Sequence, residues 1–221
     1  MDRLIATHSA IMDKYDPQKK IALFVDEWGA WYAPLPGSNP GFLVQQNSDA
    51  ILAALNLNVF ARHADRVRGA NIAQMVNVLQ AMVMTDGEKM VLTPSYHLFR
   101  MYVPFQGASF VPVSYEAGTY AHGEISLPRV DVIAAKDAAG KLWLAITNLD
   151  PNRSVEAEVS LAGVTARSAV GETLTAASVD SVNSFEAPHT VVPKPLSAEA
   201  RGGSVALKLE PKSVTVVSVE H

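Results

Sequence analysis

The chain has 221 residues, 48% hydrophobic and 18% charged, with a formal charge of −4 from 18 basic and 22 acidic side chains. That is ample apolar material for a packed core, which excludes disorder, but it is too short for a complete eight-fold β/α barrel of about 250 residues. The sequence has no apolar run near the roughly 18 to 20 residues of a membrane span, no dense Lys/Arg patch of the kind that binds nucleic acid and no cysteine for disulfide, thiolate-zinc or Cys-nucleophile chemistry.

Leu4, Ile5, Ile11, Met12 and Tyr15 recur at helical spacing after Asp2, which predicts an amphipathic helix ended by Asp16-Pro17. Ile21 to Val25 is a short apolar run, the signature of a parallel strand buried on both faces. It stops abruptly at Asp26-Glu27-Trp28-Gly29. A turn-rich stretch from Pro34 to Gly41 leads to a second helix, with Ser48 as N-cap and Ile51, Leu52, Leu55, Val59 and Phe60 along it. Helix, strand, loop and helix is the rhythm of β/α units. Val67 to Gln80 fits either a helix start or a buried strand, and periodicity does not separate the two. Thr93-Pro94-Ser95 predicts a helix start, with Tyr96, Phe99 and Tyr102 on one face.

After about Phe110 the pattern changes to alternation, in Val130-Ile133, Leu142-Ile146, Val155-Leu161, Val205-Leu209 and Val214-Val219, separated by turns such as Ala139-Gly140-Lys141. The charge changes too. Residues 1–104 carry 9 basic and 9 acidic side chains and the remainder 9 and 13, so the whole net charge lies in the second part. The expected fold class is therefore α/β followed by all-β, with a β-sandwich at the C-terminal end. Phe185 to Pro195, with three prolines, reads as a long loop crossing between sheets.

Chemistry concentrates at Glu27. A carboxylate at the end of an apolar strand, with Trp28 and Trp31 nearby, suits a sugar, whose C–H faces lie on aromatic rings and whose hydroxyls bond to carboxylates and amides. The same residues also fit a solvated strand end whose tryptophans are core. His63-Ala64-Asp65 lacks further ligands at zinc-like spacing, so His63 is read as a structural residue at a helix end and no metal is expected. Ser95-Tyr96-His97 lacks the Gly-x-Ser-x-Gly elbow of a serine hydrolase. Tyr115, Tyr120 and His122 read as packing at a junction between regions.

The segment IALFVDEWGAWY, followed by RHADRVRGANIAQMVNV and the later AAGKLWLAITNLDPN and FEAPHTVVPKP, resembles glycoside hydrolase family 51, the α-L-arabinofuranosidases. The resemblance covers nearly the whole chain. It implies the last two β/α units of a TIM (β/α)8 barrel in residues 1–108, then a C-terminal β-sandwich domain in 109–221. Ile21 to Val25 would be strand seven, Ser48 to His63 the next helix, Val67 to about Ala73 strand eight, and Ser95 to about Val103 the last helix. It also implies that Glu27 is the catalytic nucleophile, that Trp31 lines the sugar site and that Gln74 bonds to the sugar. The implied partner is an arabinofuranoside-containing saccharide, with no cofactor, and family members commonly form homo-oligomers.

The sequence departs from the family in one decisive respect. The general acid/base of the family is a Glu directly after an Asn, and none of the nine Asn here is followed by Glu. The expectation is a C-terminal portion of a longer enzyme, inactive by itself. A related β-xylosidase or endoglucanase, and a non-catalytic carbohydrate-binding or assembly module, are the alternatives. The segment Gln46 to Asp49 is shorter than the family pattern and lacks its Arg.

Overall fold

The computed structural model describes residues 1–30 and 47–221. The chain begins with α1 (Asp2–Met12), β1 (Leu23–Val25), α2 (Asn47–Arg62) and β2 (Val67–Ala70). β1 and β2 pair in parallel, with Val25 opposite Ala70, and α2 lies between them in the chain, so the three form a β-α-β unit. The ambiguous stretch after Arg66 is thus a strand, but it ends at Ala70.

Two expectations about these elements fail. The apolar stripe of α1 does not pack: only Ile5 is buried, while Leu4, Ile11 and Tyr15 are exposed. The helix is held by polar links at its ends instead. Arg66, whose side chain is fully buried, donates to Asp16 Oδ2 at 2.7 Å and to the carbonyls of Asp16 and Ile21 at 2.9 Å each, and it also pairs with Asp13. The Ile21 N–H, with help from Arg66, holds the Asp16 carboxyl below the usual carboxylate range. The backbone carbonyl of Arg66 accepts the Leu23 N–H at 2.9 Å, so one residue joins the end of α1 to the start of both strands. Nor is the run from Ile21 to Val25 buried on both faces, since Ile21 and Phe24 are 63% and 56% exposed. Among the described residues β2 is its only neighbour, and the Phe24 ring rests on Gly69, where a Cβ would approach it to 2.4 Å.

A hairpin follows that the apolar pattern does not announce, formed by β3 (Val83–Asp86) and β4 (Lys89–Leu92). Its two-residue loop places Gly87 at φ +56°, the conformation that makes glycine the natural choice there. α3 (Pro94–Met101) starts as expected. Thr93 Oγ1 caps it by accepting the Tyr96 N–H, with Pro94 at the first helical position.

After a 3-10 turn at Val103–Phe105, the regular elements are all strands: β5 (Ser109–Val111), the hairpin β6 (Thr119–His122) and β7 (Ile125–Pro128), then β8 (Val130–Lys136), β9 (Leu142–Asn148), β10 (Val155–Val159), β11 (Ser168–Leu174), β12 (Lys194–Arg201), β13 (Ser204–Leu209) and β14 (Ser213–Glu220). Apart from the β6–β7 hairpin, these strands form a single eight-stranded antiparallel sheet in the order β10-β13-β12-β11-β14-β9-β8-β5. The predicted sandwich is therefore one curled sheet. β12 makes the corner, pairing with β11 along Lys194 to Glu199 and with β13 at Ala200 and Arg201. The proline-rich stretch before β12 connects two neighbouring strands of this sheet and does not cross between sheets.

Alternation along the strands sends side chains to two faces. Leu142, Leu144, Ile146, Leu207, Leu209, Val217 and Val219 fill the inside of the curl. Ile133, Ala145, Leu174, Val214 and Val216 face the other way, onto Ala50, Ala53 and Phe60 of α2, Leu98 and Met101 of α3, and Trp28. Polar contacts reinforce this second layer. Asp131 of β8 accepts from Asn58 at 2.7 Å and pairs with Arg62, and Asn58 accepts from the Tyr102 hydroxyl at 3.0 Å.

Candidate active site

The C-terminal ends of β1 and β2 lie side by side, and the candidate residues leave from that edge. The Asn71 N–H donates to the Val25 carbonyl at 2.9 Å and its side-chain amide donates to Asp26 Oδ1 at 3.2 Å. This clamp closes the strand pair directly before Glu27. Glu27 itself is exposed, and its carboxylate has no hydrogen bond or ion pair with any described residue. It stands at a strand's carboxyl end, where parallel β/α architectures expose their chemistry.

Trp28 does not join it there. The indole is 6% exposed, edge-on to Phe60 of α2 at 5.2 Å and stacked on Phe99 of α3 at 6.1 Å. The expected pair of aromatic sugar faces is thus reduced, since Trp28 belongs to the core. Trp31 lies outside the described residues. Gln74 is exposed beyond the end of β2, and its amide forms no hydrogen bond with a described residue.

Sequence reasoning missed two residues that build this edge, Asn71 and Gln80. Asn71 had a readable signal, being the first residue after a strand in the Arg-Gly-Ala-Asn run. Gln80 had none. It is buried, donates from Nε2 to the Ala30 carbonyl at 3.0 Å and fills the space beneath Gly29. Gly29 has φ +131°, and a Cβ there would come within 2.8 Å of Gln80 Cγ. Glycine after Trp28 is needed for both reasons.

The other candidates have structural roles. His63 Nε2 lies 2.7 Å from Asp2 Oδ1 and fastens the end of α2 to α1. The Tyr115 hydroxyl accepts the Val132 N–H at 3.3 Å. Ser95 is fully buried in the first turn of α3. Among the described residues no group of three or more His, Asp or Glu side chains is disposed to hold a metal. A cleft of about 630 Å³ lies inside the curled sheet, lined by Val132, Leu144, Ile146, Val155 and Val159. Glu116, Lys136, Glu156 and Glu158 also line it, and it contains no residue of the Glu27 edge.

Residues 26–213 match the family model of the alpha-L-arabinofuranosidase C-terminal domain. The fold superposes on the crystal structure of the GH51 arabinofuranosidase from Xanthomonas axonopodis pv. citri with a TM-score of 0.95 and 48% identity, over 100% of this chain and 45% of that one. The chain belongs to the α-L-arabinofuranosidases of glycoside hydrolase family 51. It is also 38% identical to the intracellular exo-alpha-L-arabinofuranosidase of Bacteroides ovatus, over 100% of this chain and 44% of that protein. The thermostable GH51 enzyme of Thermotoga petrophila is more distant, at 26% identity and a TM-score of 0.81, over 99% of this chain and 46% of that one. The chain thus spans less than half the length of these family 51 relatives.

Proposed function

We propose that this chain is part of a retaining glycoside hydrolase that releases terminal α-L-arabinofuranosyl residues from arabinose-containing polysaccharides or oligosaccharides, with Glu27 as its nucleophile. The observation that carries this reading is the placement of Glu27, an exposed and unpaired carboxylate at the carboxyl end of a parallel strand, in a chain that belongs to family 51. Residues 1–108 would supply the last two β/α units of the barrel, β1 and β2 being strands seven and eight, and residues 109–221 the C-terminal β-domain. Trp31 and Gln74 would meet the sugar, Gln74 by donating and accepting hydrogen bonds at once.

Retention needs two carboxyl groups about 5 Å apart, an ionised one that attacks the anomeric carbon and a protonated one that protonates the leaving oxygen. Glu27 fits the first role. Its carboxylate is solvated and near no cation among the described residues, so it is open to attack a carbon brought against it. The protonated partner would have to come from outside this chain, which has no Asn-Glu pair, and the chain by itself should hydrolyse negligibly. The test is labelling of the complete gene product with a mechanism-based α-L-arabinofuranosyl inactivator. The label should attach to Glu27, and Glu27→Gln should abolish both labelling and turnover. Attachment elsewhere, or undiminished hydrolysis by Glu27→Gln, would refute the assignment.

A further inference from the structure

We propose that Trp28 is the positioning residue for Glu27, a role that rests on the reading of Glu27 as nucleophile. No described side chain or backbone group bonds to the Glu27 carboxylate, so its location is set through its backbone. Anchors lie on both sides. Before Glu27, Asn71 clamps Val25 and Asp26. After it, the Trp28 ring is wedged between Phe60 and Phe99, and Gln80 holds the Ala30 carbonyl. Glu27 is suspended between these two fixed points, its Cα about 3.8 Å from the Cα of Trp28.

The wedge is rigid for a physical reason. Phe60 meets the indole at an interplanar angle of 75° and Phe99 at 17°, so one ring is held edge-on and the other face-on. Offset stacked and T-shaped contacts are both preferred aromatic geometries, and a ring held by both has little freedom to rotate or slide. The partners belong to α2 and α3, and these helices are packed on Ile133, Ala145, Val214 and Val216 of the curled sheet. Removing the indole leaves a void that the 27–30 segment can relax into, and misplacing a reacting group by about 1 Å costs about 100-fold in rate.

The test uses the complete gene product, an aryl α-L-arabinofuranoside and the mechanism-based inactivator, read as labelling rate constant, label per molecule and kcat against KM. Trp28→Ala should lower kcat and the labelling rate constant by about 30- to 100-fold, with KM within about three-fold and the label still on Glu27. Trp28→Phe, which keeps a ring against Phe99, should recover most of that loss. Phe99→Leu removes one side of the wedge with less harm to folding and should slow labelling several-fold. If the variants lose label per molecule while the rate constant at labelled sites stays at the wild-type value, Trp28 serves folding alone and the proposal is overturned. Should Trp28→Ala not fold, an unchanged labelling rate in Phe99→Leu overturns it equally. Label on a residue other than Glu27 in the wild-type protein would defeat the nucleophile assignment instead, so the two failures are distinguishable.

Discussion

Gly171, in the middle of β11, is the position where the packing of the curled sheet can be tested most directly. A Cβ added there would lie 2.0 Å from the Val216 carbonyl oxygen, 2.7 Å from Val217 Cα and 2.9 Å from Val216 C, all backbone atoms of β14. Rotamer changes cannot relieve this collision. Bringing the oxygen to an ordinary contact of 3.4 Å needs a retreat of about 1.4 Å, which carries nearby N–H···O bonds beyond the 2.7 to 3.2 Å range. Losing about two ladder bonds at about 1 kcal/mol each, with about 1–3 kcal/mol of overpacking, gives a destabilisation of about 3–5 kcal/mol for Gly171→Ala. Urea unfolding followed by circular dichroism measures it as a lower midpoint at unchanged slope. Gly140→Ala is the internal reference: it has φ +80° but nothing within 4 Å, so it should lose only the conformational part, about 1–2 kcal/mol. A loss below about 0.5 kcal/mol for Gly171→Ala, or one equal to that of Gly140→Ala, would show that β11 and β14 are not packed as described.

Three further outcomes are expected. Gly29→Ala should cost about 2–4 kcal/mol, from strain at positive φ and from collision with Gln80; in a Gln80→Ala background the collision vanishes, so the double mutant should be about 1 kcal/mol more stable than the sum of the single changes. Leu98→Ala, at a position with no exposed surface beneath the sheet, should cost about 2–5 kcal/mol in the same urea assay, and a cost below about 1 kcal/mol would contradict the shared helix–sheet core. Burial, with Arg100 and His189 nearby, pushes the His97 imidazole below its ordinary range, while Glu172 opposes this. The unfolded chain therefore takes up the proton first, so this residue's contribution makes stability fall as pH drops from about 7.5 towards 5.5, and His97→Gln should flatten that part of the profile.

The fold was legible where one physical signal dominated. The alternating valines and leucines of β8, β9, β13 and β14 identified strands because one side of each faces a dry interior, and Thr93-Pro94 located a helix start because cap and proline act locally. The sheet's curl was not legible, because nothing within β12 distinguishes Lys194 to Glu199 from Ala200 and Arg201, which pair with different neighbours. The β3–β4 hairpin carried its Asp86-Gly87 turn signal, but its strands have only four residues each and too little alternation to stand out. At the candidate site, Glu27 was legible as the end of an apolar run. The burial of Trp28 was not, because its partners Phe60 and Phe99 are 32 and 71 positions away and only tertiary packing brings them to it.

The curled sheet matters to Glu27 through the two helices packed on it. A β-α-β unit of two strands has too little surface to bury α2 on its own strands, and Phe24 of β1 and the preceding Ile21 are exposed. The apolar faces of α2 and α3 are covered by Ile133, Ala145, Leu174, Val214 and Val216, so the helical and the strand-rich parts of the chain contribute to one core. Asp131 adds a polar constraint to that apolar one. It accepts from Asn58 and Arg62, one turn apart on α2, and thereby fixes the rotation of the helix as well as its distance from β8. Rotation is the quantity that matters for Phe60, which lies between those two residues in sequence and must meet Trp28 edge-on. The orientation of the Glu27 segment is thus tied through α2 to a side chain on β8, more than 100 residues further along the chain.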